Sequence, residues 1–313
     1  MKIQWYPGHM HKAQKEIRQV LSGIDVAIEV LDARIPFSSQ NPLLADILKS
    51  RPRLRLLNKA DLADPAQTRI WEDWLSRDAD TRVLVTSAGD DKVWRELPGI
   101  CQALASRKRD IQSATRPVHA LITGIPNVGK STIINRLAGR TVARTGNEPA
   151  VTKAQQRIDI GHGVILRDTP GVLWPNLENR SSGYRLAITG AIRDTAIDSA
   201  DVAAFAIEFL LEYFADRLTS RYTLSELTTT DPIEVLEQIG QQRGCLTDGA
   251  QVDFDRVARL LLTDIRSGEL GPLTFETPEQ MLSETTAMLR EREQTEAARN
   301  ERKQSRRRER RKR

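Results

Sequence analysis

Eight consecutive residues constrain this chain more than any other feature of it. Gly124-Ile125-Pro126-Asn127-Val128-Gly129-Lys130-Ser131 match the pattern G-x-x-x-x-G-K-[ST]. They follow an apolar run at 118–123 (VHALIT) and open a helix-like stretch at 130–137. Strand, glycine-rich turn and helix, in that order, is the setting in which such a turn wraps phosphates. Glycines let the backbone come close, while successive N–H groups and the helix N-terminus supply positive potential. Val128, Gly129 and Thr132 then belong to the nucleotide cradle. Lys130 reaches the β- and γ-phosphates, and the Ser131 hydroxyl ligates Mg²⁺.

The rest of the chain has the rhythm of an α/β fold with a mostly parallel sheet flanked by helices. Residues 24–31, 54–57 and 82–86 read as strands. Residues 41–49, with Pro42 near the start, and 68–75 read as helices. Residues 93–107 are helical too, although Pro98 and Gly99 weaken the middle. Residues 157–160 and 164–167 flank Gly161-His162-Gly163 as a β-hairpin. Beyond Tyr184 the pattern is all helical. Val202, Phe205, Phe209 and Tyr213 share one helical face. Asp231-Pro232 caps and opens a helix that ends near Gly240. Phe254, Val257, Ala258, Leu261 and Ile265 mark another, capped by Asp253 and stopped by Gly268. The expected division is an N-terminal segment and helix (1–22), a nucleotide-binding domain (23–180), a helical domain (185–285) and a charged helix with a disordered basic tail (286–313).

A phosphate loop alone does not choose between ATP and GTP. Asn58-Lys59-Ala60-Asp61 follows the strand at 54–57. A carboxylate accepts both guanine N1–H and N2–H₂, a pair adenine does not offer, so Asp61 carries base specificity. Asn58 contacts the purine edge and holds the nucleotide loop, and the Lys59 stem packs over the base. Thr86-Ser87-Ala88 ends the next strand, where Ser87 lines the base pocket and an Ala88 N–H donates to guanine O6. Asp168-Thr169-Pro170-Gly171 ends a strand downstream of the phosphate loop. Asp168 is placed to hold Mg²⁺ through water, and the Gly171 N–H to sense the γ-phosphate. Between them, Pro149-Ala150-Val151-Thr152 offers Thr152 to complete the Mg²⁺ shell. A lone loop threonine means little; Thr152 gains weight from its place between the other two motifs.

The order of these elements is unusual. Common GTPases run from phosphate loop through switch threonine and DxxG to NKxD and SA. Here NKAD and TSA come first. This looks like a circularly permuted P-loop GTPase domain, followed by a C-terminal all-helical domain. Within that group, Trp5-Tyr6-Pro7-Gly8-His9-Met10, Asp32-Ala33-Arg34-Ile35-Pro36, Leu173-Trp174-Pro175 and Thr189-Gly190-Ala191-Ile192 resemble the ribosome biogenesis GTPase A family. The resemblance spans about residues 2–280. It implies GTP hydrolysis coupled to late maturation of the large ribosomal subunit, and a helical domain that contacts rRNA. Ala150 departs from the family pattern, which has glycine before Val-Thr.

Hydrolysis needs a positioned water and stabilised charge. Many GTPases orient that water with a glutamine just after DxxG. Val172 stands there and cannot. The resemblance points to His9, whose neutral imidazole has the right pKa range; the alternative is a histidine that only packs or caps. Asn127 resembles the asparagine that binds K⁺ in cation-stimulated GTPases, against a plain loop-stabilising role.

Charge is uneven. Residues 299–313 hold ten Lys/Arg and two Glu, whereas the rest of the chain nets −3. Such a run is solvated, either as a solubilising tail or as an arm that neutralises nucleic-acid phosphates. No secretory signal and no membrane-length apolar run is visible. Two cysteines, Cys101 and Cys245, suit a reducing cytoplasm. The expected partners are therefore GTP or GDP and the large-subunit precursor with its rRNA and ribosomal proteins, engaged by a monomer. A signalling switch acting on proteins, or an RNA-binding factor with a structural nucleotide, are the competing readings.

Overall fold

The computed structural model describes residues 21–42, 48, 51–87, 89–107, 116–143, 157–168, 179–192, 198–224 and 229–311, with 297–311 as backbone. Six strands form one sheet: β1 (Val26–Asp32), β2 (Arg53–Asn58), β3 (Thr81–Val85), β4 (Val118–Gly124), β5 (Arg157–Asp159) and β6 (Val164–Asp168). Their order is β3-β2-β1-β4-β6-β5. All neighbours are parallel except β5 and β6, the antiparallel hairpin. β1 is buried along its whole length, because a central parallel strand is covered on both faces. The chain runs outward from β1 to β3 and then returns to β4 on the other side of β1. That reversal is a topological switch point, where open α/β sheets bind ligands outside the strands' carboxyl ends.

Helices α1 (Pro65–Leu75), α2 (Asp91–Ser106) and α3 (Lys130–Ala138) belong to the sheet domain. Asp64 caps α1 by accepting from the Ala66 and Gln67 N–H groups. α2 runs unbroken through Pro98. Its buried stripe of Trp94, Leu97, Cys101 and Leu104 against the sheet outweighs the lost backbone bond. The expected helix at 41–49 lies almost wholly outside the described residues.

The second half is helical: α4 (Arg180–Ile188), α5 (Ser199–Tyr213), α6 (Ala215–Tyr222), α7 (Pro232–Gln242), α8 (Phe254–Ser267) and α9 (Pro278–Arg311). Asp231 and Asp253 cap α7 and α8 as their sequences suggest, and Gly268 ends α8 with φ +84°. On α5 the deeply buried face is Val202, Ala203, Ala206, Ile207 and Leu210. The aromatic stripe runs along its flank instead: Phe209 meets Phe275, while Tyr213 is exposed. Small residues let α7 and α8 approach α5 closely, and bulky rings fit only at the margin.

The first helix of this half begins at Arg180, and α9 continues as helix through Arg311. Arg, Lys, Gln and Glu are strong helix formers, and the helix is already nucleated at Pro278. The two halves also share core. Met281 of α9 packs with Leu31, Leu57 and Trp71, and Arg185 of α4 pairs with Glu284 of α9 at 2.6 Å.

Candidate nucleotide-binding site

Four strands deliver the motifs to one edge of the sheet. β4 ends in Gly124 and leads into the phosphate loop, which turns at Asn127 (φ +60°) and Gly129 (φ +94°) before α3 begins. A Cβ on Gly129 would run into the Asn58 side chain, so glycine is required there by φ and by space. β2 ends in Asn58, whose amide donates to the Val128 carbonyl at 2.7 Å. Asn58 thus holds the phosphate loop directly. β3 ends beside it: the Ala60 N–H donates to the Thr86 carbonyl at 3.1 Å, and the Thr86 N–H to Leu57 at 2.9 Å. Ser87 follows, half-buried. Asp61 sits exposed in the short 3-10 turn Ala60–Leu62.

β6 ends in Asp168, next to β4 in the sheet. Its Oδ1 accepts from Lys130 Nζ at 2.7 Å, and both side chains are buried. The lysine meant for phosphates and the carboxylate meant for Mg²⁺ therefore converge on one point. Ser131 opens the second position of α3, one residue away. A hydroxyl and a carboxylate are hard oxygen donors that suit Mg²⁺, and a mobile ammonium can exchange a carboxylate for phosphate oxygens without unfolding anything. Thr132 lies in the same first turn. His9, Ala88, Thr152 and Gly171 lie outside the described residues.

Three features were not legible as chemistry. Asp32, at the tip of β1, grips Arg34 through two bonds of 2.9 and 2.8 Å and Lys59 Nζ at 3.0 Å. Burial works against the Asp32 carboxylate, yet Arg34 and Lys59 hold its pKa well below the usual range. Lys59, at φ +62°, is anchored at its ammonium rather than left to swing. Second, Asn127 Nδ2 donates to the Gly190 carbonyl at 2.6 Å, tying the phosphate loop to the turn after α4. Arg266 of α8 donates to the carbonyls of Ile188 and Ala187 in that same turn, at 2.9 and 2.8 Å. Gly190, at φ +79°, leaves room for this guanidinium. Third, Glu276 is buried beneath the loop after β1, accepting from the Phe37 and Ser38 N–H groups. The Asp32-Ala33-Arg34-Ile35-Pro36 and Thr189-Gly190-Ala191-Ile192 strings were the available signal, but a string does not name its partners.

Phosphate loop, purine loop and DxxG aspartate share one strand edge in permuted order. The chain is 43% identical over 284 residues to ribosome biogenesis GTPase A of Bacillus cereus, covering 90% of this chain and 95% of that protein. The chain belongs to the ribosome biogenesis GTPase A family. The Bacillus licheniformis member is 44% identical over 285 residues, 90% of this chain and 100% of its own. GNP-bound YlqF from T. maritima superposes with a TM-score of 0.60 at 27% identity, over 86% of this chain and 99% of that one. The 50S ribosome-binding GTPase family matches residues 119–242. That match starts within β4 and takes in no part of the purine loop, as a permuted order requires. The chain is a GTPase by family. Among the described residues, no helix is long and apolar enough to cross a membrane.

Proposed function

We propose that this protein binds and hydrolyses GTP to time its release from a maturing large ribosomal subunit in the cytoplasm. The observation that carries the reading is the Asn58–Val128 hydrogen bond at 2.7 Å, which joins purine loop and phosphate loop into one site. In it Asp61 selects guanine, Lys130 neutralises phosphate charge, and Ser131, Asp168 and Thr152 hold Mg²⁺, which supplies charge stabilisation at the transferring phosphoryl group. Gly171 reports the γ-phosphate, and Ala88 with Ser87 closes the base pocket. His9 orients the attacking water. Asn127 would hold a K⁺ ion, which would supply the positive charge that an arginine finger gives elsewhere. The helical domain, followed by the basic stretch of α9, engages rRNA phosphates and ribosomal proteins as a monomer.

Co-sedimentation tests this reading. The protein is spun with purified ribosomal subunits in GDP or in a non-hydrolysable GTP analogue. Binding to the large subunit that depends on the analogue is expected. Absence of binding would favour a signalling switch that acts on proteins. Binding regardless of nucleotide would favour an RNA-binding factor with a structural nucleotide.

A further inference from the structure

The purine loop is braced from two directions that nucleotide chemistry does not account for. From the sheet side, Asp32 fixes Arg34 and Lys59, and the Ala33 N–H donates to the Asn58 carbonyl at 2.8 Å. From the helical side, residues 273–276 lie across the same loop. The Leu273 N–H donates to the Leu62 carbonyl, next to Asp61, at 2.9 Å. The Asp64 N–H donates to Thr274 Oγ1 at 3.0 Å. The Phe275 N–H donates to the Arg34 carbonyl at 2.8 Å. Glu276 is held by Phe37 and Ser38, and its carbonyl accepts from Trp71 Nε1 at 2.9 Å. Asp61 is therefore carried on a turn whose last residue, Leu62, and the nearby Asp64 are both bonded to the segment that leaves the helical domain.

We propose that the Asp32–Arg34 pair and the strap at 273–276 are positioning elements for Asp61, which set guanine discrimination and make nucleotide retention depend on the helical domain. The proposal rests on reading Asp61 as the guanine-binding carboxylate. The bonds of Leu273 and Thr274 couple the helical domain to the turn that carries Asp61, beside the separate Asn127–Gly190 tie to the phosphate loop. The strap thus gives a bound particle a route to speed GDP release.

Two variants test this. Arg34→Lys keeps the charge and loses the fork; Thr274→Val keeps the shape and loses the acceptor for Asp64. Affinities for GDP and IDP are measured by calorimetry, GDP dissociation by stopped flow, and folding by thermal melting. IDP lacks the 2-amino group, so it loses only the contact that a well-placed Asp61 adds. The GDP-over-IDP preference should fall by about tenfold in Arg34→Lys, the worth of one hydrogen bond to a charged group. In Thr274→Val, GDP should dissociate faster, with the melting temperature near that of the unaltered protein. A purely structural role would weaken GDP and IDP alike and leave their ratio untouched. An unchanged ratio together with an unchanged GDP dissociation rate overturns the proposal, and Thr274→Val decides it alone if Arg34→Lys does not fold. Asp61→Asn separates the two layers. If it does not move preference from guanine to xanthine nucleotides, the base reading fails; if it does while the variants behave as the unaltered protein, only the positioning role fails.

Discussion

Asn58 and Val128 stand seventy positions apart in the chain and are joined by a 2.7 Å hydrogen bond from side-chain amide to backbone carbonyl. The bond runs from the tip of β2 to the loop after β4, across the tip of β1. It joins the two halves of the candidate nucleotide site.

Removing that bond should therefore weaken phosphate binding as well as base binding. Asn58→Ala is expected to lower GDP affinity by at least about tenfold, since a buried bond worth about 1 kcal/mol goes along with the purine contact. Gly129→Ala should abolish binding altogether. It places a methyl group into Asn58 and forces an L-residue to φ +94°. Calorimetry gives the affinities, and circular dichroism checks that both proteins stay folded.

Lys130 and Asp168 make a buried ion pair, so the phosphate lysine is also a structural residue. Lys130→Met leaves the carboxylate without its cation and should cost about 3–5 kcal/mol in the nucleotide-free protein. Adding Asp168→Asn should restore part of that. Urea unfolding of the single and double variants measures both. Equal stability of Lys130→Met and the unaltered protein would show the pair to be energetically idle.

The Asp32 cluster predicts a pH signature. Its folded pKa lies below the unfolded one, so its stabilisation is complete above about pH 4 and drains away as pH falls towards the folded value. Asp32→Asn should lose about 3 kcal/mol or more at pH 7, because Arg34 and Lys59 stay buried without their anion. The gap between variant and unaltered protein should then narrow below about pH 4. Denaturant titrations at pH 7 and pH 3 compare the two, and a gap of constant size refutes the assignment.

His9→Ala should bind GTP as the unaltered protein does and lose hydrolysis stimulated by large subunits. Phosphate release with and without subunits measures this. Matching stimulated rates would remove His9 from the reaction.

Much of the sheet domain could be read along the chain. Residues 24–31, 54–57 and 118–123 are apolar runs bounded by turn residues, and a central parallel strand has no other way to look. Asp231 and Asp253 announce their helices because an N-cap is a local bond between neighbours. α2 reads as helical along the chain, but the packing that carries it through Pro98 comes from strands distant in sequence. The flank position of Phe209 on α5 was hidden for the same reason: helical spacing finds a face but not which part of it is deepest.

The sequence by itself set out the candidate chemistry: a phosphate loop, a carboxylate suited to guanine and an aspartate suited to Mg²⁺, each a short string read from residue type and spacing. Its permuted order pointed to the group, and four further strings to the family. Only the tertiary structure decided how those strings are held. Asn58 on the Val128 carbonyl, Lys59 on Asp32, Asn127 on Gly190 and the strap across Leu62 and Asp64 are all contacts between distant residues. Such contacts exist once the sheet has set its strand order, because hydrogen bonds and buried ion pairs act over about 3 Å and leave no periodic trace in the chain.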